Sequence, residues 1–346
     1  MRKIVLIVPY FGKMPTYFEL WMLSASYNKS IDFVILTDNE IKCDSKNIKV
    51  IRCCFDEVKE KISRKFPFKI TLNEPYELTK FKPAYGYIFD EIIKEYDFWG
   101  YCDIDLIFGD IRKFITEDIL LNYDKILSHG HLSLYKNKKE INELFMERFK
   151  DCIYYKDVFS STIPWHNFDE YPYGVSKIAH KMGFKVYEAP IFADIDMFNF
   201  TFKKVFSYME KNDDNSNIIQ YFLWNKGRLM NKFPFNKEND KEILYIHLQK
   251  RDMIIERYKK QFSFHIFPNY FDFREIIDDE EIVKICDISK NKEYSKKILK
   301  IRQDKIGKFK ANRNFFNIKL WKRKIFYFKM KYFYKEKPYK FEEGKI

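Results

Sequence analysis

The stretch WGYCDIDLIF, residues 99–108, decides how the rest of the chain reads. Its apolar content predicts a buried strand, and the interior of a sheet is a costly place for carboxylates. Asp103 and Asp105 stand at its end. In an extended segment the side chains at i and i+2 project from one face, so the two acids are expected side by side. Carboxylates that close repel, and one takes up a proton unless a cation lies between them. A hard divalent ion such as Mg²⁺ or Mn²⁺ suits the arrangement, because it takes oxygen ligands and is completed by substrate phosphates. The plainer reading is a helix N-cap with a loop salt bridge. Spacing alone does not choose between them. A chain of 346 residues with 25 Asp contains about two D-x-D triplets by chance, and this one has two, the other being Asp194-Ile195-Asp196.

Context raises the first pair. KIVLIVPY (3–10), IDFVILTDN (31–39) and NIKVIRC (47–53) read as buried strands. PTYFELWMLSASYN (15–28) reads as a helix with Pro near its start, and KPAYGYIFDEIIKEY (82–96) as a second helix leading into the motif. This alternation predicts an α/β fold with an open, mostly parallel sheet and helices on both faces. Ligands of such sheets bind beyond the carboxyl ends of the strands. Three strand ends carry polar or turn-forming residues: Pro9-Tyr10-Phe11-Gly12, Thr37-Asp38-Asn39 and Asp103-Ile104-Asp105.

Charge is unevenly placed. From residue 290 onward there are 20 Lys+Arg against 5 Asp+Glu, whereas residues 1–289 carry 43 against 45. The net +13 therefore belongs to the tail, and the composition shift divides the chain into 1–285 and a basic, aromatic helical extension, 286–346. The six cysteines form no C-x-x-C pair and several lie in apolar runs, which points to a reducing compartment. The apolar run Ile4–Val8 is too short for a signal core or a spanning helix, so a cytoplasmic location is expected. A dinucleotide-binding dehydrogenase is excluded, since no G-x-G-x-x-G follows the first strand.

The block TKFKPAYGYIFDEIIKEYDFWGYCDIDLIFGDIRKF, residues 79–114, resembles a bacterial family of capsule- and surface-polysaccharide glycosyltransferases, in which a Lys-Pro-Ala helix precedes a Trp-Gly-Tyr-x-Asp-x-Asp strand. The layout is more distantly similar to that of the lipooligosaccharide galactosyltransferases of GT-A fold. The resemblance implies a single GT-A, Rossmann-like catalytic domain that transfers a sugar from a nucleotide diphosphate sugar, with UDP as the expected nucleotide. Mn²⁺ or Mg²⁺ would sit on the donor diphosphate, held by Asp103 and Asp105. The family layout also implies a late histidine as third ligand, and EILYIHLQKRDM supplies His247. The neighbouring Lys250 and Arg251 suit a diphosphate leaving group. Lys82, and with less reason Lys80, stands where it could reach the same phosphates. Pro9, Tyr10, Phe11, Thr37 and Asp38 would carry base and ribose, with Ile104 between the metal acids.

PWHNFDEYPYGVSKIAHKMGF, residues 164–184, is the candidate acceptor segment: Trp165, His166, Asp169, Glu170, Tyr171 and Tyr173 combine aromatic faces with groups that bind hydroxyls. The similar families place an acidic pair here, which makes Asp169 or Glu170 the candidate catalytic residue near the reacting carbon, either deprotonating the acceptor or positioning it; a retaining reaction needs no protein base. An inverting reaction needs a base, and Asp169 is the first choice. In the tail, Trp321, Ile325, Phe328 and Tyr332 recur at helical spacing with Lys322, Arg323, Lys329 and Lys331 alongside, as in helices that lie on anionic membranes. The expected partners are a nucleotide sugar, a saccharide or lipid-linked saccharide acceptor and the inner membrane surface, with no nucleic acid. Two other readings stay open: a non-catalytic sugar- or nucleotide-binding protein of the same fold, and a nucleic-acid binder that uses its basic, aromatic tail.

Overall fold

Strand β1 (Ile4–Pro9) is apolar because both of its faces are covered. Ile4, Leu6 and Val8 join Trp21, Phe33 and Phe98 on one side; Val5 and Ile7 join Phe81, Tyr85 and Trp99 on the other. The computed structural model describes residues 1–162, 168–170, 172–195, 202–204, 219–251, 253–255, 262–286 and 318–332.

Around β1 lie β2 (Ile31–Thr37), β3 (Ile48–Arg52), β4 (Phe98–Cys102), β5 (Leu106–Phe108), β6 (Lys125–His129), β7 (Leu132–Lys136) and β8 (Val186–Tyr187). Seven of these eight form the central sheet in the order β3-β2-β1-β4-β7-β6-β8. All its pairings are parallel except those of β7, which is antiparallel to both neighbours. Helix α1 (Phe18–Ser26) covers one face through Trp21, and α2 (Phe55–Lys65) covers the other through Val58 and Ile62. The fold is therefore the mixed α/β arrangement with a mostly parallel central sheet that the alternation predicts.

Two further sheets are built from the later sequence: β9 (Phe192–Ile195), β10 (Phe202–Lys204), β11 (Tyr221–Asn225), β12 (Arg228–Lys232), β13 (Lys241–Glu242), β14 (Tyr245–His247), β15 (Ile254–Ile255), β16 (Ser263–Phe267) and β17 (Tyr270–Asp272). One sheet has the order β10-β9-β14-β5, the other β13-β12-β11-β16-β17-β15. Ile107, Phe222, Trp224, Ile246 and Phe264 share a core across them.

These sheets correct the reading of residues 99–108. The run is two strands, not one: β4 belongs to the central sheet, and β5 leaves it to pair with β14. Asp103, Ile104 and Asp105 form the turn between them, so the acids meet through a change of sheet and not along an extended face. The helix expected over 82–96 is also broken. A 3-10 stretch, Pro75–Ala84, is followed by the short helices Tyr85–Ile88 and Asp90–Ile93, consistent with Pro83 having no N–H to give to an α-helical ladder.

Of the tail, the helix Ile318–Tyr332 is described. Its Phe326 and Tyr327 rings pack on Tyr173 at 6.1 and 6.0 Å, and Met330 is buried. Trp321, Ile325, Phe328 and Tyr332, the stripe expected from spacing, face outward and are 44–56% exposed. No helix among the described residues is long and apolar enough to cross a membrane.

Candidate functional site

A cleft of about 500 Å³ opens at the carboxyl ends of β1 and β4, a size that accommodates a nucleotide. Its walls come from the segment after β1 (Pro9, Tyr10, Phe11, Met14), the 3-10 stretch (Tyr76, Thr79, Lys82), the β4–β5 turn (Asp103, Ile104, Asp105) and the segment after β14 (Lys250, Arg251).

At its floor, sheet pairing assembles a charged chain. His247 lies opposite Leu106 on one side and Asp194 on the other. Its Nε2 is 3.3 Å from Asp105 Oδ2 and its Nδ1 is 2.9 Å from Asp194 Oδ1. The backbone N–H of Lys250 donates to the same Asp105 Oδ2 at 2.7 Å. Burial pushes the Asp105 carboxyl up, but His247 and Lys250 outweigh it and bring it down to about 2. Burial likewise opposes the His247 imidazolium, yet Asp105 and Asp194 hold it up at about 10. Gln249 and Lys250 both have left-handed backbones, with φ of 54° and 53°, an uncommon state for residues with side chains. This conformation turns the Lys250 N–H onto Asp105.

Within this group of charges one carboxylate oxygen lacks a partner among the described residues. Asp105 Oδ1 is buried and accepts no hydrogen bond, a costly condition for a carboxylate oxygen. Ligand atoms of Asp103, Asp105 and His247 all lie within 4.8 Å of one another. Two oxygens and an imidazole nitrogen suit Mn²⁺, and a metal there would satisfy Oδ1. A second triad, His131, Asp194 and His247, meets the same distance, but His131 Nδ1 is bonded to the Tyr245 hydroxyl at 2.9 Å and Asp194 to His247. Asp194 thus orients the His247 ring from behind, as acids commonly do beside metal-binding histidines.

The turn itself is tightly held. Trp21 Nε1 donates to the Asp103 carbonyl at 3.0 Å, the Asp103 N–H donates to the His131 carbonyl at 2.9 Å, and the Leu248 N–H donates to the Asp105 carbonyl at 2.7 Å. Lys82 reaches the Asp103 side chain, with Nζ 2.6 Å from Oδ1 and 2.6 Å from the Gly130 carbonyl. Burial would lower its pKa, but Asp103 and Asp169 raise it above the usual lysine value. Asp169 and Glu170 close on the β6–β7 hairpin, where Glu170 Oε1 accepts the Gly130 N–H at 3.1 Å. Burial pushes the Asp169 carboxyl up from its ordinary value.

Several expected residues are placed otherwise. Thr37 is fully buried with its hydroxyl accepting the Asn39 N–H, and Asp38 accepts the Gly12 N–H at 3.1 Å, so both shape the neighbouring loop and neither lines the cleft. Phe11 is buried against Phe55, at 5.8 Å, which leaves Tyr10 and Tyr76 as the aromatic walls with more open faces. Arg251, a wall of the cleft, directs Nη1 to the Pro268 carbonyl and to Asn269; Lys250 carries its ammonium 4.1 Å over the Tyr76 ring. Lys80 donates to the Ser161 carbonyl at 3.2 Å. Trp165, His166, Tyr171 and Asp196 lie outside the described residues. Sequence reasoning missed Gly130 and His131; the signal was the pair of histidines flanking a glycine in SHGHLS, 128–133, between two strand-like runs.

Residues 6–275 match a family of unknown function, DUF6625. The chain belongs to that family. No curated protein matches it. Among solved structures, it is similar to the galactosyltransferase LgtC in complex with donor and acceptor sugar analogs, at 13% identity and a TM-score of 0.31 over 56% of this chain and 75% of that one. An active-site mutant of LgtC gives 10% identity and 0.36 over 82% and 94%. The apo-form glycosyltransferase GlyE of Streptococcus pneumoniae TIGR4 gives 16% and 0.30 over 54% and 45%.

Proposed function

We propose that the protein is a metal-dependent glycosyltransferase of GT-A type. It moves a sugar from a nucleoside diphosphate sugar, with UDP the favoured nucleotide, to a saccharide or lipid-linked saccharide in capsule or surface-polysaccharide synthesis. The observation that carries this is the unpartnered, buried Asp105 Oδ1 in an Asp-Asp-His set at the floor of a nucleotide-sized cleft.

In this reading Asp103, Asp105 and His247 hold Mn²⁺ or Mg²⁺, which when bound neutralises the charge that develops on the leaving diphosphate. Lys250, in the cleft wall, adds a second positive charge beside the same phosphates. Tyr10 and Tyr76 flank the base and ribose, and Pro9 and Ile104 close the cleft between them. As the bond from the anomeric carbon to the diphosphate oxygen breaks, the acceptor oxygen bonds to that carbon and gives up its proton. Asp169 is the proposed recipient of that proton, since burial raises its basicity, and Glu170 positions the acceptor. Residues 1–285 form the catalytic unit, and 286–346 a basic extension on the inner membrane surface. The exposed apolar stripe at Trp321, Ile325, Phe328 and Tyr332 supports that placement, as do six Lys and Arg without an acid over 318–332.

A melting-shift screen of nucleoside diphosphates with and without Mn²⁺ tests the reading, because a ligand of the folded state raises stability with its occupancy. A shift with UDP that needs Mn²⁺ and survives raised salt is expected. Salt-sensitive stabilisation by a polynucleotide, with none by any nucleoside diphosphate, would favour the nucleic-acid reading and overturn this one.

A further inference from the structure

Lys82 was expected to meet phosphate, yet its ammonium is buried between two protein acceptors on different walls of the site. On one side is Asp103 Oδ1, at 2.6 Å. On the other is the carbonyl of Gly130, also at 2.6 Å, and the N–H of that same residue donates to Glu170 Oε1 at 3.1 Å. A continuous line of charge-assisted hydrogen bonds thus runs from a metal carboxylate, through one ammonium and one glycine, to the acid pair across the site. The backbone repeats the connection, since the Asp103 N–H donates to the carbonyl of His131 at 2.9 Å.

Gly130 is the narrow point of this line. A Cβ built there would stand 2.8 Å from Asp169 Oδ2 and 2.8 Å from Glu170 Oε1, so the acids close onto the hairpin only because residue 130 has no side chain. Neither acid lines the nucleotide cleft, whereas Lys82 and Asp103 do. Lys82 stands at the border between the two.

We propose that Lys82 is a positioning residue that sets the metal carboxylate Asp103 against the acid pair Asp169–Glu170 through Gly130. The proposal rests on the transferase reading but assigns Lys82 no contact with phosphate or sugar. It separates two quantities that a merely supporting lysine would move together. The ammonium competes with a metal ion for Asp103, so its removal does not weaken binding of the metal. The same removal leaves the backbone link between Asp103 and His131 in place but takes away the ammonium's hold on the Gly130 carbonyl, so the hairpin tip and the acids closed on it shift, and a displacement of that kind costs about 100-fold in rate.

The experiment measures Mn²⁺ binding alone by calorimetry, and hydrolysis of UDP-sugars in the presence of Mn²⁺, for Lys82→Met, Lys82→Arg and Gly130→Ala. Lys82→Met is expected to bind Mn²⁺ at least as tightly as the wild type while its kcat falls about 100-fold, with KM for the donor within about 3-fold. Lys82→Arg, which keeps a donor to both walls, recovers part of kcat. Gly130→Ala leaves Lys82 and Asp103 untouched and displaces only the ends of two flexible side chains, so it folds, keeps Mn²⁺ affinity and donor KM, and loses kcat. Loss of Mn²⁺ affinity and kcat by the same factor in Lys82→Met would overturn the proposal, as would wild-type kcat in Gly130→Ala. A wild type that binds Mn²⁺ but hydrolyses no UDP-sugar would remove the transferase reading and this inference together; an active wild type with unaltered variants would remove only the inference.

Discussion

The imidazole of His247 stands 3.3 Å from Asp105, Nε2 to Oδ2, in the place where a metal ion bound by that carboxylate would meet its nitrogen ligand. Without metal the ring is a cation, held protonated up to about pH 10 by Asp105 and Asp194 against the effect of burial. Ligation at Nε2 requires the neutral ring, so binding must expel a proton. At pH 7.5, Mn²⁺ binding should release about one proton, read by calorimetry in buffers of different ionisation enthalpy. Binding heats that do not depend on the buffer would exclude His247 as a ligand.

The motif acids should be individually indispensable. Asp103→Asn and Asp105→Asn are expected to lower Mn²⁺-dependent turnover of UDP-sugars by about 100-fold or more, with melting temperatures within a few degrees of wild type. Excess EDTA should have the same effect on the unaltered protein. Full activity in either variant would remove the metal assignment.

Asp194 acts from behind the ring. Asp194→Asn keeps an acceptor but removes the charge that orients and polarises His247, and Mn²⁺ affinity should fall about 10- to 100-fold. An unchanged affinity would return Asp194 to the role of a surface partner of β14.

Glu188 supplies a pH test away from the cleft. Burial pushes its carboxyl up to about 7, from the ordinary value near 4.3. Between those values the folded state holds a proton that the unfolded chain releases, so this residue's contribution to stability falls as pH rises from about 4.5 to 7. Glu188→Gln cannot lose a proton, and urea unfolding at pH 5 and 7.5 should show a smaller drop than wild type. Parallel pH profiles for the two proteins would contradict the assignment.

The outward stripe of the tail helix should hold the protein on anionic lipid. Trp321→Ser combined with Phe328→Ser removes two of its four exposed apolar groups, and the full chain should then sediment less with anionic vesicles. Each basic residue near the surface adds about 1 kcal/mol, so wild-type binding should weaken as salt rises. Equal partitioning of the two proteins would show that the stripe takes no part.

Much of the central sheet was legible in the sequence. Ile4–Val8, Phe33–Leu36 and Phe98–Cys102 are unbroken apolar runs because the middle of a strand covered on both faces has no position where a polar side chain is tolerated. Asp103 and Asp105 stood out for the complementary reason: acids at the end of such a run need a partner, and that need is written locally, whereas His247 was singled out through the family resemblance. What the tertiary structure decided is who the partner is. WGYCDIDLIF reads as one strand, since the pattern records burial and not the sheet that provides it; only pairing with β14 splits the run and turns the two acids toward His247. Asp194 looked like a competing motif until β9 came to lie beside β14, and Lys82 like a phosphate ligand until the β6–β7 hairpin placed the Gly130 carbonyl within 2.6 Å of it. Sequence spacing constrains which groups share a face of one element, whereas contacts between groups 50 or 140 residues apart follow from how sheets stack, and that is settled by the packing of the whole chain.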